Sequence, residues 1–353
     1  MKRFRFLNFS LLFFLAAVLF SSCKEKPSFI SDAEILRAHL NVSAEVANYS
    51  VLQLPNFFKN QFVAIQNNTP VNNPTTDWGA TLGRVLFYDQ QLSKNNTISC
   101  ASCHQQSQGF ADTSRFSTGF NGGTTPRHSM ALANAVYYLN GRFFWDERAA
   151  TLEEQVLQPI EDPIEMGMTM PEVIERLNMT EYYPILFENA FGSREVSNDK
   201  IAKALAQFVR SMVSYDSKYD EGRSTVSERT LDFPNFSQEE NAGKKIFMSN
   251  TKVNCFGCHN TDVFIGDNAR NNGLSEQNID VGTYIYTQNE LDKGKFKTPS
   301  LKNIAVRGRF MHDGSLTSLD QVIEHYNSGI RPNKNLDPHL VDIATRTPVK
   351  MGL

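Results

Sequence analysis

Two pentapeptides carry the chemistry of this chain, Cys100-Ala-Ser-Cys103-His104 and Cys255-Phe-Gly-Cys258-His259. Two thiols at this spacing add to the two vinyl groups of a haem, and the histidine that follows supplies the proximal imidazole. A Cys-x-x-Cys pair alone also suits a redox disulfide or a zinc site. The histidine directly after each pair favours covalent haem instead. Of the five cysteines, only Cys23 lies outside these motifs. It ends Leu19-Phe-Ser-Ser-Cys23, which reads as a lipobox although Phe20 holds the place usually taken by Leu, Val or Ile.

Residues 1–22 read as a lipoprotein signal peptide, with Lys2, Arg3 and Arg5 ahead of the apolar stretch Phe6 to Phe20. That stretch is shorter than the ~20 residues a membrane-spanning helix needs. The expectation is export to the periplasm, with the globular part tethered to a bacterial membrane by a lipid on Cys23. The formal net charge of −3 becomes more acidic once the leader is removed. With no basic run, nucleic-acid binding has no support, and a basic electron-transfer partner suits the surface better.

The elements that must position these motifs are mostly helical. Helical patches are expected around Asp32–Leu40 within an N-terminal extension, residues 23–75, and a first haem unit begins near Thr76. Gly83-Arg-Val-Leu-Phe87 precedes the first motif and Gly243-Lys-Lys-Ile-Phe247 the second, which suggests a duplicated unit. Ser237 and Glu240 fit a capping box opening the second of these helices. Ile201, Leu205, Phe208, Val209, Met212 and Val213 recur at helical spacing and read as one apolar face. Asp220–Phe236 reads as a linker. The predicted organisation is a first haem domain over 76–219 and a second over 220–353. The second lacks an obvious closing helix after Tyr326, which reads as a truncated C-terminus.

Whether an iron transfers electrons or reacts with peroxide depends on its sixth coordination position. After His259 the candidate ligands are Met311, His312, His325, Tyr326, His339 and Met351; after His104 they are His128, Met130, Met166, Met168 and Met170. Spacing alone does not choose among them. Tyr326 and His325 lie about 100° apart on a helix, so only one of the pair can face the iron.

From Leu82 onward the chain resembles the bacterial dihaem cytochrome c peroxidases and the related dihaem enzymes that mature methylamine dehydrogenase. The matching stretches are Leu82-Gly-Arg-Val-Leu-Phe-Tyr-Asp89, Ser99 to His104, Phe144-Trp-Asp-Glu-Arg-Ala-Ala150, Glu165-Met-Gly167, Cys255 to His259, and Phe310-Met-His-Asp-Gly-Ser-Leu-Thr-Ser-Leu319. The resemblance implies two tandem cytochrome c-like domains with a haem in each. It places the family's active-site glutamate on Glu165, its glutamine on Gln155, the tryptophan between the haems on Trp145, and the distal ligand of the second haem on Tyr326. The displaceable histidine of the peroxidases falls on Phe120, which has no lone pair to offer iron. A calcium site between the domains would use His128, where the family has asparagine, and the carbonyls of Arg307 and Arg309. The change to histidine and the Arg-Gly-Arg setting put calcium in doubt without removing it from the candidate cofactors.

The residues themselves fit these roles. Glu165 follows Asp162-Pro163 and precedes Gly167, so it belongs on a turn, where a carboxylate can take a proton from one peroxide oxygen and give it to the other. Gln155 can orient peroxide, and Trp145 can relay electrons. Tyr326 is a harder donor than thioether sulfur and should lower the potential of the second haem. The leading expectation is a peroxidase that reduces hydrogen peroxide with electrons from a cytochrome c or similar donor. A second is a dihaem oxidase that spends the same oxidising power on a protein or organic substrate, and a third is a plain dihaem electron carrier.

Overall fold

The computed structural model describes residues 30–40, 45–249, 254–350 and 352. The signal peptide, Cys23 and Met351 therefore lie outside the described residues. Helices dominate, and among the described residues β-pairing is limited to isolated bridges.

The first core forms around two crossing helices. Helix α1 (Asp32–Leu40) lies in the N-terminal extension, where the sequence placed it. Helix α2 (Asp77–Tyr88) starts at Thr76, whose hydroxyl accepts from Gly79 N at 3.0 Å. Its buried face, Leu82, Leu86 and Phe87, meets helix α3 (Asn198–Ser211), which turns Ile201, Leu205 and Val209 inward. Gly83 allows this crossing, because a Cβ there would collide with the Ala204 carbonyl. The apolar face expected to run on to Val213 ends sooner, since α3 stops at Ser211. Val213 packs instead into a second cluster.

That second cluster gives the N-terminal extension a purpose. Phe57, Phe58 and Val63 pack on Val136, Tyr137 and Tyr138 from the first half and on Val263 and Ile265 from the second. The segment Asp220–Phe236 is likewise packed and does not behave as a loose linker. It begins inside helix α4 (Lys218–Ser224), buries Phe233, and pairs the buried Asp220 carboxylate with the buried Lys302 ammonium.

Helix α5 (Gln238–Phe247) carries the capping box read from Ser237 and Glu240. Its Gly243, unlike Gly83, faces open space, so the small residues of the two matching elements do not share a packing role. The repetition is clearer in the loops. Bridges Gln105↔Ala111 and Asn260↔Ile265 follow the two cysteine motifs, and Phe143↔Ala149 and Phe310↔Leu316 come later in each half. The backbone is left-handed at equivalent places, Phe110 and Phe264 in the first pair, Phe144 and Met311 in the second.

Candidate functional site

Each cysteine motif forms a single helical turn, Cys100–Cys103 and Cys255–Cys258, which leaves the next histidine free to turn back. His104 Nδ1 lies 2.9 Å from the Phe110 carbonyl oxygen, and His259 Nδ1 lies 3.4 Å from that of Phe264. Only an Nδ1–H donates to a carbonyl, so Nε2 keeps its lone pair for a metal. Burial lowers both imidazoles, His259 to about 4, which keeps them neutral as ligands must be. Burial also pushes the Cys100 and Cys258 thiols up to about 12. All four thiols are free of disulfides. This donor set fits covalent haem at both motifs.

One cavity gathers most of the residues singled out in the first half of the sequence. Cys100, Cys103 and His104 line it together with Trp145, Gln155, Glu165 and Met166. Glu165 sits on the expected turn, its amide accepted by Asp162 Oδ1 at 3.1 Å. Burial, with the Asp162 carboxylate adding to it, raises Glu165 to about 7, and the Arg148 guanidinium opposes the rise. Arg148 lines the same cavity and lies over the Phe144 ring at 3.5 Å. Sequence reasoning quoted its motif without giving Arg148 a role; its position two residues after Asp146, which it pairs with, was the available signal.

The other candidates near His104 separate. Met168 and Met170 are buried in the core and do not line the cavity, whereas Met166 and Met130 do. His128 is held with Nδ1 3.1 Å from the Ser114 carbonyl and 3.3 Å from that of Arg115, while its buried Nε2 has no partner. The Phe120 ring does not line the cavity. It covers Gly167, where a Cβ would run into it, and its amide donates to the Glu165 carbonyl at 3.0 Å. A residue at 120 therefore reaches the cavity only if this loop turns.

Trp145 stands between the halves. Its Nε1 donates to the His128 carbonyl at 2.7 Å, and its ring meets His312 edge-on with centroids 6.5 Å apart. His312 in turn stacks on Phe296 at 3.6 Å, so it is a packed aromatic. Trp145 and His312 hold the same place in the two matching turns, Phe143–Ala149 and Phe310–Leu316.

In the second half, Tyr326 and His325 part as helical geometry requires. His325 Nε2 lies 3.1 Å from the Asn272 backbone oxygen. The Tyr326 hydroxyl lies 3.5 Å from the Asn272 side-chain amide, which also donates to Met311 Sδ at 3.3 Å. Burial pushes the Tyr326 hydroxyl up to about 12, and the Cys255 and Cys258 thiols are among the groups that act on it. Tyr326 and Met311 thus share the amide of Asn272, which no sequence signal marked. His339 Nδ1 is held by Asp337 at 2.8 Å.

The position for calcium does not suit it. Arg307 brings an uncompensated cation, lowered to about 10 by burial, that acts on both His128 and His259. His128 offers nitrogen where calcium prefers oxygen.

A family model described as di-haem cytochrome c peroxidase matches residues 78–225. The methylamine utilization protein MauG of Methylophilus methylotrophus is 34% identical over 73% of this chain and 75% of its own length. The cytochrome c551 peroxidase of Nitrosomonas europaea is 34% identical over 69% of this chain and 71% of its own. Among solved structures, a MauG-like protein associated with microbial copper homeostasis superposes with a TM-score of 0.68 at 31% identity, covering 81% of this chain and 88% of that one.

Proposed function

The chain belongs to the di-haem cytochrome c peroxidase family, and from that premise we propose that it reduces hydrogen peroxide to water with electrons from a cytochrome c or similar donor. The observation that carries this reading is Glu165, a half-buried carboxylate raised to about 7 in the cavity that holds Cys100, Cys103 and His104. When bound at the two motifs, haem supplies the iron that exchanges electrons with peroxide and donor. Glu165 accepts a proton from one peroxide oxygen and returns it to the leaving oxygen. Gln155 orients peroxide by hydrogen bonding, and Arg148 holds Glu165 short of full neutralisation at neutral pH. Trp145, fixed by the His128 carbonyl and meeting His312, is placed where it would carry electrons between haems held at the two motifs.

We assign one haem to residues 76–219, on His104, and one to residues 220–353, on His259 and Tyr326. No calcium enters this account. A second reading, oxidation of a protein or organic substrate, is favoured by one feature, the phenol Tyr326, which suits storage of oxidising equivalents at the second haem. Export and a lipid anchor on Cys23 remain part of the proposal. No helix among the described residues is long and apolar enough to cross a membrane.

Haem loading and coordination test the proposal together. The denatured mature chain is expected to keep two haems, with two irons and no calcium by metal analysis. Cys100→Ala with Cys103→Ala should remove one haem. The resting oxidised spectrum should show one high-spin and one low-spin haem. Two low-spin haems would favour an electron carrier, and a chain that loses all haem on denaturation would overturn the assignment.

A further inference from the structure

An oxidisable phenol touches the loop that holds His259. Tyr219, in helix α4, meets the Phe264 ring edge-on with centroids 4.7 Å apart. The Phe264 carbonyl faces His259 Nδ1 at 3.4 Å, so one residue stands between the phenol and the proximal imidazole. The two halves differ here. Phe247 at the end of α5 meets Phe264 as Phe87 in α2 meets Phe110, with centroids 5.7 Å and 6.2 Å apart. Tyr219 is an addition to that arrangement, and among the described residues no phenol meets Phe110.

The phenol has a proton acceptor. Its hydroxyl donates to Asp262 Oδ1 at 2.8 Å, within the reach of direct proton transfer. Asp262 is 3% exposed, and Arg223 Nε donates to the same oxygen at 3.1 Å, which favours the charged carboxylate. Burial, with the Asp262 charge adding to it, raises Tyr219 well above the ordinary phenol range, so it stays protonated at neutral pH. A phenol that loses an electron becomes strongly acidic, and here its proton has Asp262 to go to.

Other buried tyrosines lack this combination. Tyr138 donates to Glu147, but the Lys297 ammonium lies 3.8 Å from its ring centre, and among the described residues no carboxylate pairs with that cation. A bare cation over a ring opposes removal of an electron. The Lys302 ammonium lies farther from the Tyr219 ring, 5.2 Å from its centre, and is paired with the buried Asp220. Tyr183 donates to Asp89, but its ring meets Tyr182 and Phe187, neither of which holds a proximal histidine.

We propose that Tyr219, with Asp262 as its proton acceptor, is a redox-active site that yields an electron toward the His259 loop when peroxide outruns the external donor. The proposal rests on the peroxidase reading, because hydrogen peroxide is the oxidant. Reduction of one peroxide breaks the O–O bond and forms two waters, taking up two electrons and two protons from solvent. Without the external donor the protein supplies both electrons, and Tyr219 supplies one. Its O–H bond breaks, the proton moves to Asp262 Oδ1, and a neutral tyrosyl radical remains. An electron from the donor and the proton from Asp262 later restore the phenol.

The test adds one equivalent of hydrogen peroxide to the oxidised, haem-loaded full chain without donor and reads freeze-quenched samples by electron paramagnetic resonance. A tyrosyl radical is expected, with hyperfine structure that changes when the protein carries ring-deuterated tyrosine. Tyr219→Phe, which keeps the ring against Phe264, should remove that signal while peroxide is still consumed. Asp262→Asn should lower its yield about tenfold or more, as expected when a positioned proton acceptor is lost. If Asp262→Asn fails to load haem, electron–nuclear double resonance of the wild-type radical in H2O and D2O should show one exchangeable proton bonded to the phenoxyl oxygen, and its absence would overturn the role of Asp262. No tyrosyl radical in a protein that consumes peroxide, or a signal unchanged in Tyr219→Phe, would overturn the proposal and leave the peroxidase reading standing. A wild-type protein that consumed no peroxide would overturn both.

Discussion

Replacing Glu165 with Gln is expected to slow the reaction of the oxidised, haem-loaded protein with hydrogen peroxide by about 10²–10⁴-fold, the usual cost of losing a positioned acid–base group. Gln keeps the size of the side chain, and its neutral amide suits the burial that raises Glu165 to about 7. Both haem spectra should therefore survive the change. The pH dependence has a definite sign. Below about 7 the carboxyl is protonated and cannot accept the peroxide proton, so the wild-type rate should climb as pH rises through that value. The Gln variant should lose this limb. Stopped-flow mixing across pH 5–9 reads both effects. A variant with the wild-type rate, or one that keeps the limb, would assign the proton transfer to another group.

The second large effect is expected at Tyr326. Tyr326→Phe should open the second haem, turning its spectrum from low-spin to high-spin, because a phenyl ring has no donor atom. Tyr326→Met should keep six coordination and raise the potential, within the roughly 0.8 V over which axial ligands move haem potentials. Burial holds the free hydroxyl at about 12, so its ionisation depends on a cation facing it. Met311 is the structural rival, because its sulfur shares the Asn272 amide with Tyr326. An unchanged Tyr326→Phe spectrum, with a changed one in Met311→Ala, would move the assignment to Met311. His325 lies with Nε2 3.1 Å from the Asn272 backbone oxygen, and a spectrum changed in His325→Ala but not in Tyr326→Phe would move the assignment to it.

What could be read from the sequence was what local chemistry dictates. The Ser237–Glu240 box, helix Asp32–Leu40 and the turn at Glu165 are each set by residues within a few positions of one another. The cysteine motifs belong with them. The misses share a different origin. The packing of Asp220–Phe236 depends on Lys302, distant in sequence, and the extension around Phe57 earns its order from residues of both halves. No periodicity records such contacts. Asn272 escaped for the same reason. A phenyl ring at 120 has no lone pair for iron, and in the structure it covers Gly167 and does not line the cavity.

That reading of Phe120 bears on the central claim, that this chain reduces peroxide at the haem of His104. The resemblance puts the peroxidases' displaceable histidine at this place, a role a phenyl ring cannot take, while His128 and Met130 line the same cavity as candidate substitutes. The most direct measurement adds hydrogen peroxide to the fully oxidised, as-isolated holoprotein, then supplies a reduced electron donor and counts electrons against peroxide consumed. The account predicts a spectral change at the His104 haem within the mixing time, followed by consumption of two donor electrons per peroxide. Peroxide left intact by the haem-loaded protein, both before and after reduction, would contradict it.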